Sequence, residues 1–165
     1  MPTEYKSGFE ASLAAQLTRA KIQFEYEPGP LPYLLVISTG RCGDCNSKNV
    51  VSKRKYIPDW VFGGKIVVES KGKFTSEMRT KMLSVIASNP ELDIRMLFMR
   101  DNWLTRAKKH KYTEWCKQKG IKCAVGEFPK EWLREFRKLQ NRASGQTKNI
   151  SSSGIDGRKQ RKGIA

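Results

Sequence analysis

The stretch Tyr56-Ile-Pro-Asp-Trp-Val-Phe-Gly-Gly-Lys-Ile-Val-Val-Glu-Ser-Lys-Gly-Lys-Phe74 constrains the chain more than any other. The runs Ile57 to Phe62 and Ile66 to Glu69 are rich in β-branched and aromatic residues, and Gly63-Gly64 supplies a turn between them, which predicts a β-hairpin. Its register decides which side chains share a face. A two-residue loop would pair Phe62 with Lys65 and leave Asp59 and Glu69 on opposite faces. A three-residue loop, Gly63-Gly64-Lys65, would pair Phe62 with Ile66, Trp60 with Val68 and Asp59 with Glu69. The second register is the one expected, because it also gathers Phe62, Ile66, Trp60 and Val68 on a single apolar face.

Two carboxylates directly across a hairpin lie about 5 Å apart at Cβ and repel one another. A hard divalent cation relieves that repulsion, and Mg²⁺ is held by one or two carboxylates with waters completing an octahedron. Lys71 is two residues beyond Glu69, so strand alternation points both to one face. There it would orient or help deprotonate a metal-bound water and offset charge on a phosphate. The same residues, without further context, also describe a surface hairpin bearing alternating charges.

With 32 Lys and Arg against 16 Asp and Glu, the net charge is +16. Such a balance favours a polyanionic partner, with affinity falling as salt rises. RNA-binding and ribosome-associated proteins share this charge. No stretch is long or amphipathic enough to anchor in a membrane, and the N-terminus has no apolar signal core, so a cytoplasmic protein with reduced thiols is expected. The four cysteines are then not a disulfide framework.

Elsewhere, Phe9, Leu13, Leu17 and Ala20 predict a helix from Ser7 to Arg19, and Ile22, Phe24 and Tyr26 alternate as a strand. Ser7-x-x-Glu10 reads as a helix capping box. Tyr33 to Ser38 predicts another strand. Within Thr39 to Lys55, Cys42 and Cys45 look like half of a zinc ribbon, although Zn²⁺ takes four ligands; the bland alternative is a polar turn with two free thiols. Cys116 reads as a helix-face residue and Cys123 as part of a strand core. A helix capped by Thr75 or Ser76 runs to Ala87 with Met78, Met82, Val85 and Ile86 inward. Asp93 to Met99 is a strand, Thr113 to Lys119 a short helix closed by Gly120, and Ile121 to Val125 a strand. Pro129 opens a helix with Trp132, Leu133 and Phe136 on one side. Trp60, Trp115 and Trp132 read as core rather than as base-stacking platforms, and Trp103 is left open between the two. Lys73, Arg79 and Lys81, and the loop with Arg106, Lys108, Lys109 and Lys111, are candidate phosphate contacts. His110, the only histidine, is assigned to that loop because no acidic partner is close in sequence. Residues 1–139 are expected to form the domain, and Gln140 to Ala165 a basic disordered tail.

Pro58-Asp59 followed by Glu69-Ser70-Lys71 matches the PD-(D/E)xK signature of metal-dependent nucleases. Ser7-Gly8-Phe9-Glu10, Ile22 to Tyr26, Tyr56 to Trp60, Val68 to Gly72, Asn89 to Arg95, Cys116 to Lys122 and Pro129 to Trp132 occur in the order of one branch. Over about Ser7 to Phe136 the chain resembles the endodeoxyribonuclease I family of short-tailed bacteriophages, which are Holliday-junction resolvases. The resemblance implies a restriction-endonuclease-like mixed central β-sheet flanked by helices, in a domain-swapped homodimer whose extended bridge falls within 38–55. It implies cleavage of branched DNA with Mg²⁺ or Mn²⁺, two per site: Asp59, Glu69 and the Ser70 carbonyl hold one ion, Glu10 with Asp59 helps a second, and Lys71 serves the attacking water. At the two-fold axis, paired Cys42 and Cys45 would offer a shared structural Zn²⁺. Two rival readings are a nuclease of the same fold acting on nicked, mismatched or linear duplex DNA, and a non-catalytic basic nucleic-acid-binding protein.

Overall fold

The computed structural model describes residues 4–38 and 49–150. The expected hairpin is present with its two expected apolar pairs, but the third pair, Asp59 opposite Glu69, is not part of the ladder. Strands β4 (Trp60–Phe62) and β5 (Ile66–Lys71) pair antiparallel with Trp60 opposite Val68 and Phe62 opposite Ile66. Gly63 and Gly64 take φ of 54° and 64°, and the Lys65 N–H closes the turn on the Phe62 carbonyl at 3.2 Å. These are left-handed values that glycine adopts without a Cβ penalty and that match the twist of the flanking strands. At Gly63 there is a second demand, since a Cβ would lie 3.3 Å from Leu139.

Around this hairpin is a five-stranded mixed sheet. With β1 (Glu25–Tyr26), β6 (Asp93–Phe98) and β7 (Cys123–Val125), the order is β1-β4-β5-β6-β7. β1, β4 and β5 run antiparallel in turn, whereas β5-β6 and β6-β7 are parallel. Parallel neighbours need crossovers, and helices α2 (Ser76–Ser88) and α3 (Tyr112–Gln118) supply them. On one face α1 (Gly8–Arg19) and α4 (Lys130–Ile150) enclose Leu13, Leu17, Trp60, Phe62, Ile66, Val68, Trp132 and Phe136. On the other, Val67, Ile94, Met96 and Phe98 meet Met82, Val85 and Cys116. The alternation along β5 thus feeds two cores, and its five residues from Ile66 to Ser70 are all buried. This is the mixed α/β architecture the sequence implies. Among the described residues no helix is long and apolar enough to cross a membrane.

Several boundaries differ from the expectations. The alternation from Ile22 yields only a two-residue strand. Its partner β4 has three residues and turns at Gly63, so the chain before Phe24 has no edge to join. Ile22 and Phe24 are apolar because they pack into the core, not because they belong to a ladder. The first arm of the hairpin is likewise broken. Strand β2 (Leu31–Ser38) pairs along its length with β3 (Asn49–Tyr56) in a separate two-stranded ribbon, and Ile57 to Asp59 cross from it to the main sheet. The expected bridge, 38–55, therefore overlaps this ribbon at Ser38 and from Asn49 onward; the remainder, with Cys42 and Cys45, lies outside the described residues. Finally, α4 continues to Ile150, past Leu139 where apolar spacing stops. Gln140 still accepts from the Gln23 N–H at 3.1 Å, and extending a formed helix costs far less than nucleating one. Within the proposed tail, Gln140–Ile150 is helical rather than disordered, and residues 151–165 lie outside the described residues.

Candidate active site

The site lies where β4 leaves β5. β5 continues past Val68 through Glu69, Ser70 and Lys71, still paired with β6. One more antiparallel step would set Asp59 opposite Glu69, and a second would set Pro58 opposite Ser70. Proline has no N–H to give the Ser70 carbonyl, and the Ser70 N–H donates instead to Asp59 Oδ2 at 2.7 Å. The Ser70 hydroxyl also donates to that oxygen at 2.7 Å. In a strand the N–H and C=O of one residue project to the same side, so the Ser70 carbonyl faces this edge too. The Trp60 indole N–H reaches the Ser70 hydroxyl at 3.4 Å and braces the serine from the core.

Glu69 is 2 % exposed. Lys71 Nζ lies 2.5 Å from its Oε1, and the hydroxyl of Tyr56, the last residue of β3, donates to its Oε2. Glu10 approaches from the first turn of α1. Its N–H donates to the Ser7 hydroxyl at 3.2 Å, so Ser7 caps the helix as expected, and that hydroxyl in turn donates to Glu10 Oε1 at 2.9 Å, which replaces the backbone half of a capping box. The other oxygen, Oε2, accepts from the Tyr26 hydroxyl on β1. Each glutamate is thus clasped by a tyrosine from another strand.

Electrostatics tie the four ionisable groups together. Burial, above all, raises the Asp59 carboxyl above the usual range, and the charge of Glu10 adds to this while Lys71 and the Ser70 donors oppose it. Burial also raises Glu69, followed by the charge of Asp59, against the pull of Lys71 and Tyr56. For Lys71, burial acts downward, but Glu69 and Asp59 outweigh it and hold the ammonium above its usual value. Lys71 is therefore a cation here, suited to orienting a water and offsetting anionic charge rather than to accepting a proton. Burial is the main cause that lifts the Tyr56 hydroxyl well above the ordinary phenol value, with Glu69 next, so it stays a donor.

Among the described residues, no three His, Cys, Asp or Glu side chains are already gathered as a close ligand set. The chemistry of the donors nevertheless suits a hard cation. Buried carboxylates whose affinity for a proton is raised by burial and by one another are oxygen ligands with unbalanced negative charge.

Of the expected residues, the structure brings Glu10, Asp59, Glu69, Ser70 and Lys71 into one electrostatic unit. Lys81 joins its rim, with Nζ 4.8 Å from the centre of the Tyr56 ring. Lys73 is exposed just beyond, and Arg79 donates from Nη1 to the Phe74 carbonyl at 2.9 Å. Arg106, Lys108 and Lys109 sit on an exposed loop pinched by a Trp103–Lys111 bridge. Lys111 Nζ lies 5.3 Å from the Trp103 ring centre, which settles that partly exposed tryptophan at the surface. The loop is moored beside Lys73, because the Phe74 N–H donates to the Tyr112 hydroxyl at 3.1 Å. His110 does have an acidic neighbour, Glu114, one helical turn on and 3.7 Å from Nδ1; the pair faces across the loop-helix junction, which spacing within the loop does not reveal. Cys116 is buried on α3 and Cys123 lies on β7, as expected.

Sequence reasoning missed Tyr56, Tyr26 and Lys6. Lys6 pairs with Glu27 and feels the charges of Asp59 and Glu10. None had a local signal, since each contact joins residues far apart in the chain.

An α/β domain with one buried and two half-buried carboxylates and a lysine at the open end of a central strand has the layout of a hydrolytic enzyme. Residues 2–152 match the model of the family described as Phage endonuclease I, and the chain belongs to that family. It is 33 % identical over 135 residues to Endonuclease I of Escherichia phage T7, covering 81 % of each chain. To Endodeoxyribonuclease 1 of Enterobacteria phage T3 it is 30 % identical over 135 residues, covering 81 % of this chain and 80 % of the relative.

Proposed function

We propose that the chain is a metal-dependent, structure-selective DNA endonuclease that resolves four-way junctions by paired phosphodiester cleavage. The observation that carries this reading is the cluster of buried Glu69 with half-buried Asp59 and Lys71 at the end of β5, in a chain of net charge +16 that belongs to an endonuclease family. Asp59, Glu69 and the Ser70 carbonyl would hold Mg²⁺ or Mn²⁺, with Glu10 beside Asp59 supporting a second ion. Such an ion supplies Lewis-acid stabilisation of charge on the phosphate when bound. Lys71 orients the attacking water and offsets the same charge. Lys73, Arg79, Lys81 and the Arg106–Lys111 loop grip the backbone, so recognition follows shape and charge rather than base edges. A homodimer that exchanges its N-terminal elements through the 38–55 segment would place two sites on opposing strands, as resolution requires. The zinc proposal for Cys42 and Cys45 belongs to that interface.

The deciding experiment compares a four-way junction with matched linear, nicked and mismatched duplexes, with and without Mg²⁺. Paired cuts confined to the junction and to Mg²⁺ are expected; equal cutting of matched duplex would remove the structure selectivity. Binding of an ion to the folded state alone also raises stability by mass action. Millimolar Mg²⁺ should therefore raise the melting temperature of the wild type and leave that of Asp59→Ala unchanged; equal shifts in both would place the ion elsewhere. Metal analysis of protein purified without chelator tests the zinc, and its absence would end that part.

A further inference from the structure

Glu69 has two carboxylate oxygens and two partners. Lys71 takes Oε1, and the Tyr56 hydroxyl donates to Oε2. Tyr56 is 1 % exposed and lies not on the catalytic hairpin but at the end of the ribbon strand β3. Its ring is also used, because Lys81, on α2, holds its ammonium 4.8 Å from the ring centre. From these contacts we infer that Tyr56 is a positioning residue for cleavage, orienting the Glu69 carboxylate with its hydroxyl and seating Lys81 with its ring. The inference rests on the proposed role of Glu69.

The terminal torsion of a glutamate is broad, so one partner does not fix the plane of its carboxylate. With Lys71 alone, Glu69 is free to swing until both oxygens meet the ammonium. A second donor on the opposite oxygen prevents this and fixes the plane of the carboxylate. Partners of this kind around ligating carboxylates typically alter metal affinity or activity by about 10–100-fold when removed. The ribbon carrying Tyr56 is itself anchored. Asn89 Nδ2 donates to the Pro32 carbonyl at 3.1 Å, and the Leu34 N–H donates to the Ser88 hydroxyl at 3.0 Å. Helix α2 therefore grips the ribbon at its C-terminal end and presents Lys81 to Tyr56 along its length. A tyrosine needed only for packing would do as well as phenylalanine, and here the hydroxyl goes to the site.

The test uses the whole chain and two variants, with Glu69→Ala as a third that tests the site itself. Tyr56→Phe keeps the ring and removes the hydroxyl; Lys81→Gln keeps the tyrosine and removes the cation. Three quantities are measured: Mn²⁺ binding without DNA by titration calorimetry, junction binding in Ca²⁺, and the single-turnover cleavage rate against Mg²⁺ concentration. Tyr56→Phe is expected to weaken Mn²⁺ binding about tenfold and slow cleavage about 10–100-fold, with junction affinity unchanged. Lys81→Gln is expected to weaken junction binding and its salt dependence, with Mn²⁺ binding unchanged. Wild-type Mn²⁺ affinity and rate in Tyr56→Phe, or a loss matched by equal loss of junction binding and a lowered melting temperature, would overturn the inference while the site reading stands. If Glu69→Ala itself binds Mn²⁺ and cleaves like the wild type, the site reading fails and the inference with it.

Discussion

Glu69→Ala is expected to bind a four-way junction in Ca²⁺ about as well as the wild type and to cut it in Mg²⁺ about a thousandfold more slowly. The carboxylate sits in the middle of the proposed ion site, 2.5 Å from Lys71 and donated to by Tyr56. Losing it removes charge stabilisation worth several kcal/mol, at tenfold in rate per 1.36 kcal/mol. Binding survives because the basic residues proposed to hold the DNA backbone, Lys73, Arg79, Lys81 and the Arg106–Lys111 loop, are all retained. Removal of a negative charge from a polyanion-binding surface has no reason to weaken it. Glu69→Gln serves as the folded control, since it keeps an oxygen for Tyr56. Cleavage by Glu69→Ala within tenfold of wild type would sink the proposed site, and loss of cleavage and binding together would point to misfolding.

The largest stability effect is expected at Arg95, which stands opposite Val68 and outside the proposed site. This arginine is 1 % exposed on β6, beneath α4. Its Nη2 donates to Asp93 at 2.6 Å and to Glu135, and its guanidinium lies 5.0 Å from the ring centre of Trp132 and 5.9 Å from that of Phe136. Nε and Nη1 are buried without a hydrogen-bond partner. Arg95→Ala leaves a cavity between β6 and α4 and costs about 3–5 kcal/mol, the range for losing a large buried side chain. That corresponds to a melting temperature lower by roughly 10 °C for a chain of this size. Arg95→Met refills the space, discards two unpaired buried donors and leaves acids that reach solvent, so it should cost under about 1 kcal/mol or stabilise. Chemical denaturation of the two variants separates the packing contribution from the ionic one. Equal, large losses in both would show that the ion pairs, not the buried stem, carry the stability.

Legibility differed sharply between parts of the molecule. The hairpin was readable because its determinants are local: two glycines that accept positive φ, and an alternation that permits only one register with a buried face. Helix α2 was readable for the same kind of reason, with Thr75 accepting from the Met78 N–H at 3.4 Å and Met82 and Val85 spaced to one side. The pairing of Glu69 with Lys71 followed from strand period, whereas Asp59 reaches the site from beyond the end of the ladder, bonded to Ser70 and not as the cross-strand partner of Glu69. By contrast, alternation at Ile22 and Phe24 suggested a strand where only core packing existed, because a pattern of buried residues does not reveal whether a partner edge is available.

Local sequence therefore determined the hairpin, the helices and the acids and lysine they display, since turn chemistry and periodicity act within a few residues. Tertiary structure alone decided that the ribbon ends in a tyrosine on Glu69, that a second tyrosine holds Glu10, and that an arginine is buried under α4. Each of these contacts joins residues distant in the chain. Their energies depend on burial and on the direction of a hydroxyl or guanidinium, which exist only once the layers have packed.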